Sequence, residues 1–220
     1  MSPAPIRAVA FDLDGLMFDT EALFARVLRG YLEERGRSMT PEIMAAMIGR
    51  RAAEAYPAFR RLTGFEDPPE ELLAEVRCRF TAEVDTAVHP TPGLIALLAH
   101  LERRGIPRAV ATSSRREYAE RLIERHGLRT HFAFILGAED VTHGKPNPEI
   151  YQRAAQRFEV EPSQLLVLED SAPGLAAAKA AGAFAVGVPH EHSPAEGLSA
   201  ADLIVPRLDD SILLGRIDER

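Results

Sequence analysis

The sequence contains no tryptophan, and Cys78 is the single cysteine among its 220 residues. One cysteine excludes an intramolecular disulfide, so the fold depends on a hydrophobic core. No apolar run approaches the roughly 20 residues that a membrane-spanning helix needs. Residues 1–6 lack the basic and apolar regions of a secretion signal. We therefore expect a soluble, cytoplasmic protein without a membrane partner.

Positive charge is also scarce, because 26 Lys and Arg face 33 Asp and Glu, for a net charge of −7. Binding a nucleic-acid backbone needs a basic face, so we expect no nucleic-acid partner. Hydrophobic residues make up 46% of the chain, enough to form the core of one domain that carries a smaller insertion. We expect the chain to be a monomer whose ligand is a small molecule.

The chain alternates between two patterns. An apolar strand at 8–11 is followed by helix periodicity, which predicts four helices and no strand. After Thr91 the pattern changes to helices alternating with short apolar strands at 108–111, 132–136, 165–168, 184–188 and 203–205. Such alternation indicates a parallel sheet covered by helices. The prediction is an α/β, Rossmann-like core formed by residues 1–19 and 89–220, with an all-α cap domain inserted at 20–88.

Two carboxylates, Asp12 and Asp14, follow the first predicted strand in the segment FDLDG. A buried strand that ends in acids places them where ligands collect in α/β sheets. Acids at a strand end can also cap the next helix, and the pair alone does not decide between these roles. Three later segments carry complementary chemistry.

The first of these segments follows the strand at 108–111 and reads Thr112, Ser113, Ser114, Arg115. It offers hydroxyls and backbone amides at the start of a predicted helix, which is a favourable place for a phosphate group. A simple serine cap is the alternative. Thr112 lies one step before the position where a cap is needed.

The second segment is the loop HGKPNP, in which Lys145 precedes a predicted helix. Gly144 lets the backbone approach a ligand closely. The loop differs from a nucleotide-binding P-loop because proline, and not serine or threonine, follows the lysine. A solvated lysine is the alternative interpretation.

The third segment repeats the first motif, since Glu169 and Asp170 follow the strand at 165–168. If this strand neighbours the first in a parallel sheet, the four acids share one crevice. Carboxylates so close together do not all ionise without cations. Mg²⁺, which prefers hard oxygen ligands, meets that demand, and Lys145 supplies a further positive charge.

Together these segments resemble the motifs of the haloacid dehalogenase superfamily, in particular its phosphatases with a small helical cap, near the β-phosphoglucomutase and pseudouridine-5′-phosphatase branch. The motifs follow the family's order over nearly the whole chain: DLDG at 12–15, Thr112, GKP at 144–146 and LEDS at 168–171. The resemblance implies a Mg²⁺-dependent phosphatase whose substrate is a small phosphorylated metabolite, either a sugar phosphate or a nucleoside 5′-phosphate.

The resemblance also implies roles for individual residues. Asp12 is the nucleophile that forms an aspartyl-phosphate, and Asp14 is the general acid and base. Thr112 holds phosphoryl oxygens, and Lys145 bridges phosphate and Asp12. The implied metal ligands are Asp12, Asp14 through its backbone carbonyl, Asp170, and Glu169 as a direct or outer ligand. The implied substrate-binding residues are Ser113, Ser114, Arg115 and, in the cap, Arg50 and Arg51, with a solvated face as the alternative for each arginine.

Two departures from the mutase pattern favour hydrolysis. Phe24 occupies the position of a mutase histidine, and Ala52 that of a cap arginine. A phosphomutase and a non-catalytic signalling domain phosphorylated on Asp12 remain the alternative functions. Dehalogenases lack an acid at the position of Asp14. We interpret the His190-Glu191-His192 segment as a surface loop and not as a metal site.

Overall fold

The computed structural model describes residues 4–47, 52–66, 68–191, 193 and 195–219. The strands are β1 Ala8–Phe11, β2 Arg108–Ala111, β3 Phe134–Leu136, β4 Leu165–Glu169, β5 Phe184–Gly187 and β6 Leu203–Ile204. They form one parallel sheet with the order β3-β2-β1-β4-β5-β6. This sheet confirms the α/β, Rossmann-like class predicted from the alternating pattern.

The central strands are apolar along most of their length because every residue of β1, β2 and β4 is buried. Strand β1 lies between β2 and β4. Phe11 at its end pairs with Val110 of β2 on one side and with Leu168 of β4 on the other. The carboxyl ends of these three strands therefore meet at one edge of the sheet.

Helices occupy the segments between the strands. They are α1 Thr20–Glu33, α2 Pro41–Met47, α3 Ala52–Thr63, α4 Pro69–Ala87, α5 Leu94–Arg103, α6 Arg116–Arg125, α7 Glu149–Phe158, α8 Ala172–Ala181 and α9 Ser211–Asp218. Helices α7 and α8 pack on one face of the sheet, where Ala154 and Ala178 join Ala8, Ala10 and Val167 in a buried cluster. The small alanine side chains allow the helices to approach the sheet closely.

Several element boundaries differ from the prediction. The sequence pattern predicts helices that begin at Ser114 and at Asn147-Pro148, but α6 begins at Arg116 and α7 at Glu149. The Asn147 side chain accepts the Glu149 N–H at 3.0 Å. Strand β3 starts two residues late because a turn of 3₁₀-helix at Arg129–His131 precedes it. Helix α9 was not predicted, since it follows a weak strand and has only eight residues.

Residues Asp19–Val88 form a compact unit distinct from the sheet-containing unit. Helix α1 buries one face, which includes Leu23, Val27 and Tyr31. Ion pairs join α4 to the end of α1, since Arg79 donates to both Glu34 oxygens at 2.7 and 2.6 Å and also to Glu75. None of the helices in the described part of the chain is long and apolar enough to cross a membrane.

The two segments that lead into and out of this insertion lie side by side in the sheet-containing unit. Phe18 forms an antiparallel bridge with Pro90. Thr91 extends the contact, since its N–H donates to the Met17 carbonyl at 2.9 Å and its hydroxyl to the Leu16 carbonyl at 2.6 Å. The chain therefore leaves the core and returns to it at neighbouring points.

Helix α5 provides a test of core packing, because Leu97 is completely buried whereas Ile95 is 56% exposed. Leu97→Ala leaves a cavity and should lower the free energy of unfolding by roughly 2–5 kcal/mol. Ile95→Ala, its control on the same helix, should change that free energy by no more than about 0.5 kcal/mol. Urea unfolding of the two variants measures the difference, and equal losses would contradict the packing described here.

Candidate active site

The carboxyl edge of the sheet brings together side chains that are far apart in the sequence. Asp12 follows β1, Thr112 follows β2, and β4 ends at Glu169 before Asp170. Asp12 is 7% exposed, Asp170 3%, Thr112 1% and Glu169 0%. Because water is largely excluded there, charge interactions at this edge are stronger than on the surface.

Lys145 lies at the centre of these acids. Its ammonium donates to Asp12 Oδ1, to Glu169 Oε1 at 2.6 Å and to the Ala111 carbonyl at 3.0 Å. All three donor positions of the ammonium are therefore used. The side chain is 6% exposed, so the solvated alternative considered for this lysine is wrong.

Glu169 is the second carboxylate that binds the Lys145 ammonium. The Tyr151 hydroxyl also donates to Glu169 Oε1, and the Ser171 hydroxyl and N–H donate to Oε2 at 2.9 and 3.3 Å. With Lys145, four donors face this buried carboxylate. A direct bond from Glu169 to a metal ion would replace one of these hydrogen bonds.

The charges within this group determine the direction of its pKa shifts. Burial raises the pKa of Asp12 well above its usual value, and the nearby Glu169 and Asp170 add to the effect, although Lys145 opposes it. Burial alone would lower the pKa of Lys145, but Asp12 and Glu169 raise it well above normal. Asp12 and Glu169 thus share one charged ammonium, and Asp170 adds a third buried carboxylate close to them.

The donor set fits a hard divalent cation. One oxygen from each of Asp12, Glu169 and Asp170 can be chosen so that all three lie within 4.8 Å of one another. Burial also raises the pKa of Asp170, with Glu169 adding to the effect against the opposing His190. A dication would offset the negative charge that Lys145 leaves unbalanced, and carboxylates are the ligands that Mg²⁺ prefers.

Asp14 lies close to Asp12 in the sequence but has different partners. The Ser114 hydroxyl donates to Asp14 Oδ2 at 2.6 Å, and the Tyr118 hydroxyl donates to Oδ1 at 3.1 Å. Ser114 is therefore not the cap of α6, whose N-cap is Arg115 without a side-chain hydrogen bond. The hydroxyl predicted to bind substrate binds Asp14 in this structure.

Gly15 has the backbone conformation and the space that this turn requires. Its φ is +84°, which side chains rarely allow, and a Cβ there would lie 2.1 Å from Asp170 Oδ2. The chain can turn sharply after Asp14 only because no side chain is present. This explains the glycine that ends the DLDG motif.

Asp170 is held by the loop that follows β5. The His190 ring nitrogen Nε2 lies 2.9 Å from Asp170 Oδ2, and the Ser193 hydroxyl donates to the Asp170 carbonyl. The interpretation of this loop as surface was wrong for His190, which is half-buried beside the acids. His192 lies outside the described residues.

The loop that carries Lys145 is fixed by Glu149. Glu149 Oε2 accepts the N–H groups of Thr142 and His143 at 3.0 and 2.9 Å, and Arg153 donates to Oε1. These bonds lower the pKa of Glu149 to about 2, with the two backbone donors as the main cause and Arg153 next. The loop is thereby tied to the first turn of α7.

The remaining predicted residues are more dispersed. The Thr112 hydroxyl oxygen accepts the Ser114 N–H at 3.0 Å, which keeps the hydroxyl at the end of β2. Ser113 and Arg115 are exposed and are not hydrogen-bonded to the acids in this structure. Arg50 and Arg51 lie outside the described residues, so their role stays a prediction.

Sequence reasoning missed three contributors: Tyr118, Tyr151 and His190. Tyr118 lies four residues after Ser114, a spacing that places two side chains on one side of a helical turn. That spacing was a usable signal. Nothing comparable connects Tyr151 with Glu169 or His190 with Asp170, because those contacts depend on how separate elements pack.

Comparison with known proteins identifies the family. Residues 9–188 match the family described as haloacid dehalogenase-like hydrolase. A validoxylamine A 7′-phosphate phosphatase of Streptomyces hygroscopicus subsp. limoneus is 32% identical over 204 residues, covering 93% of this chain and 95% of that protein. A phosphorylated carbohydrates phosphatase of Thermotoga maritima is 30% identical over 210 residues, with 94% and 97% covered.

A solved structure shows the same architecture. It is a HAD family hydrolase from Deinococcus radiodurans R1 with bound phosphate and sodium. The TM-score is 0.80 at 30% identity, covering 92% of this chain and 91% of that one.

Glu149→Gln tests the tether of the lysine loop. Because the pKa of Glu149 falls from 4.5 to about 2 on folding, its charge stabilises the fold fully above pH 4.5, and this contribution is lost as pH falls toward 2. Wild type should be the more stable protein at pH 6, and its advantage over Glu149→Gln should shrink by pH 3.5. Urea unfolding at several pH values measures the difference in the free energy of unfolding between the two proteins. A constant difference between the two proteins would contradict the assignment.

Gly174→Ala tests the packing around Glu169. A Cβ at Gly174 would lie 1.9 Å from Glu169 Oε1, so the carboxylate that anchors Lys145 must move. We expect a loss of about 1–3 kcal/mol in the free energy of unfolding. Gly215→Ala in α9 is the control, since its Cβ meets nothing within 4 Å, and it should add about 0.5–1 kcal/mol. A neutral Gly174→Ala would refute the close approach.

Proposed function

Because the chain belongs to the haloacid dehalogenase-like hydrolase family, we propose that it hydrolyses phosphomonoesters of small metabolites through an aspartyl-phosphate on Asp12. The observation that carries the proposal is the buried Asp12 carboxylate, paired with the Lys145 ammonium and followed two residues later by Asp14. A carboxylate nucleophile, a fixed cation and a second acid are the groups that such a reaction needs.

In the first step, Asp12 Oδ attacks phosphorus and forms a phosphorus–oxygen bond, while the bond to the ester oxygen breaks. Asp14, as the acid, gives its proton to the leaving oxygen, so that an alcohol departs. Lys145 balances charge on Asp12 and on the phosphoryl oxygens as they approach. The Thr112 hydroxyl and the Ser113 N–H hold the phosphoryl group at the end of β2.

In the second step, a water oxygen attacks the same phosphorus atom, and Asp14, now a carboxylate, takes the water proton. The bond between phosphorus and Asp12 breaks, which releases inorganic phosphate and restores the carboxylate. Asp14 returns to its protonated form, ready for the next ester. One residue thus serves as acid and then as base.

We propose Mg²⁺ as the cofactor. Asp12, Asp170 and the Asp14 carbonyl would hold it, with Glu169 as a direct or an outer ligand. When bound, the ion supplies charge neutralisation between the phosphate and the carboxylates. The three acids whose oxygens lie within 4.8 Å of one another support this assignment.

The proposed substrate class rests on the names of the relatives. The two phosphatases reported above are named for a phosphorylated natural product and for phosphorylated carbohydrates. These names favour a sugar phosphate as the substrate, and the resemblance of the motifs adds a nucleoside 5′-phosphate as the second class that we propose. Residues 20–88 would act as the cap, and Arg50 and Arg51 would contact the substrate body. We also propose a monomer, since one chain supplies every acid of the site.

Phosphate release from sugar phosphates, nucleoside 5′-monophosphates and pseudouridine 5′-phosphate tests the proposal. Turnover should require Mg²⁺ and disappear with EDTA. Asp12→Asn should lower it on the order of a thousandfold or more, because the nucleophile is lost. Asp218→Asn is the matched control, since Asp218 is paired on the surface with His100, and it should retain activity.

Other outcomes would redirect the assignment. Formation of an isomeric phosphate and a bisphosphate intermediate would indicate a phosphomutase. A stable phospho-Asp12 without turnover would indicate the signalling domain. Normal turnover in Asp12→Asn would remove Asp12 from the nucleophile role.

A further inference from the structure

Asp14 has one hydroxyl donor on each carboxylate oxygen. The Ser114 hydroxyl donates to Oδ2 at 2.6 Å, and the Tyr118 hydroxyl donates to Oδ1 at 3.1 Å. Hydroxyl donors bind an ionised carboxylate more strongly than a protonated one. The arrangement therefore places a neutral hydroxyl donor on each oxygen of Asp14.

The position of Tyr118 is fixed by its surroundings. It lies in the first turn of α6, which begins after the short segment 112–115 that follows β2. The Arg116 N–H donates to Glu139 Oε2 at 3.1 Å, and the Arg116 guanidinium pairs with Asp140. The Ala138 N–H donates to the Ser114 carbonyl at 2.9 Å. The start of α6 is thus joined to the segment after β3, which fixes the backbone that carries Ser114 and Tyr118.

We infer that Tyr118 is a positioning residue that acts through Asp14 and stabilises the carboxylate formed when the ester oxygen is protonated. The inference rests on the proposed phosphatase reaction. As the phosphorus–ester bond breaks, the proton passes from Asp14 to the leaving oxygen, and negative charge appears on Asp14 beside the Tyr118 hydroxyl. The hydrogen bond then strengthens in the transition state more than in the bound substrate, which accelerates this step.

This role predicts an effect that depends on the leaving group. An alkoxide needs a proton to depart, whereas 2,4-dinitrophenolate departs readily without one. The loss of Tyr118 should therefore matter for alkyl phosphates and hardly at all for 2,4-dinitrophenyl phosphate. A tyrosine that only supports the fold would affect both esters alike.

The test compares wild type with Tyr118→Phe on three esters: the best alkyl phosphate from the panel, phenyl phosphate and 2,4-dinitrophenyl phosphate. We expect kcat/KM to fall about tenfold or more for the alkyl ester, less for phenyl phosphate, and by no more than about twofold for the dinitrophenyl ester. For the alkyl ester, the loss should lie in kcat and not in KM. Tyr31→Phe is the control for loss of a phenol hydroxyl, since Tyr31 packs inside the inserted unit, and it should leave all three values unchanged.

A second measurement uses the Asp14→Asn background, where Tyr118→Phe should have no further effect on the first step because its target is gone. Equal losses on all esters, or an undiminished effect of Tyr118→Phe in that background, would overturn the inference. So would an alkyl ester that Tyr118→Phe hydrolyses at the wild-type rate. If wild type were inactive on every ester, the proposed function would be overturned as well. The wild-type assay alone therefore distinguishes a failure of the proposed function from a failure of the inference about Tyr118.

Discussion

The balance of buried charge around the Lys145 ammonium is the constraint on which the rest of the site depends. One cation lies among carboxylates that separate strands bring to the same edge. Removing one member of such a group leaves the charges of the others buried and unpaired. This loss lowers the free energy of unfolding by more than the intact group contributes to it. Tyr151 and Ser171 hold the Glu169 carboxylate, and Glu149 holds the loop that carries Lys145, so all three keep the ammonium in place.

The acids at this edge of the sheet fall into two sets with different surroundings. Asp12, Glu169 and Asp170 lie close together and form a donor set that fits a metal cation. Asp14 lies beside two neutral hydroxyl donors. The spacing of one residue in DLDG thus gives the two acids separate sets of partners. This separation is possible because Gly15 allows the backbone to turn immediately afterwards.

The strands and the main acids were predictable because they depend on local pattern. Four apolar residues followed by an acid predict a buried strand with a carboxylate at its end, which is how β1 and Asp12 are arranged. The partner of Ser114 was not predictable, because a serine before a helix has the same sequence whether it caps the helix or binds Asp14. His190 was missed for a related reason. Its loop has no pattern of its own, and only the packing of β5 beside β4 brings it to Asp170.

The bridge between Phe18 and Pro90 has a consequence for how such chains diversify. Since the core itself holds the two ends of the insertion together, closing that long loop adds little further entropy cost, and the cost grows only slowly with its length. The intervening segment is therefore exchangeable in evolution: it can lengthen, shorten or be replaced without changing the register of the strands. A core of this kind can therefore accept inserted units of different length and sequence between the same two points of the chain.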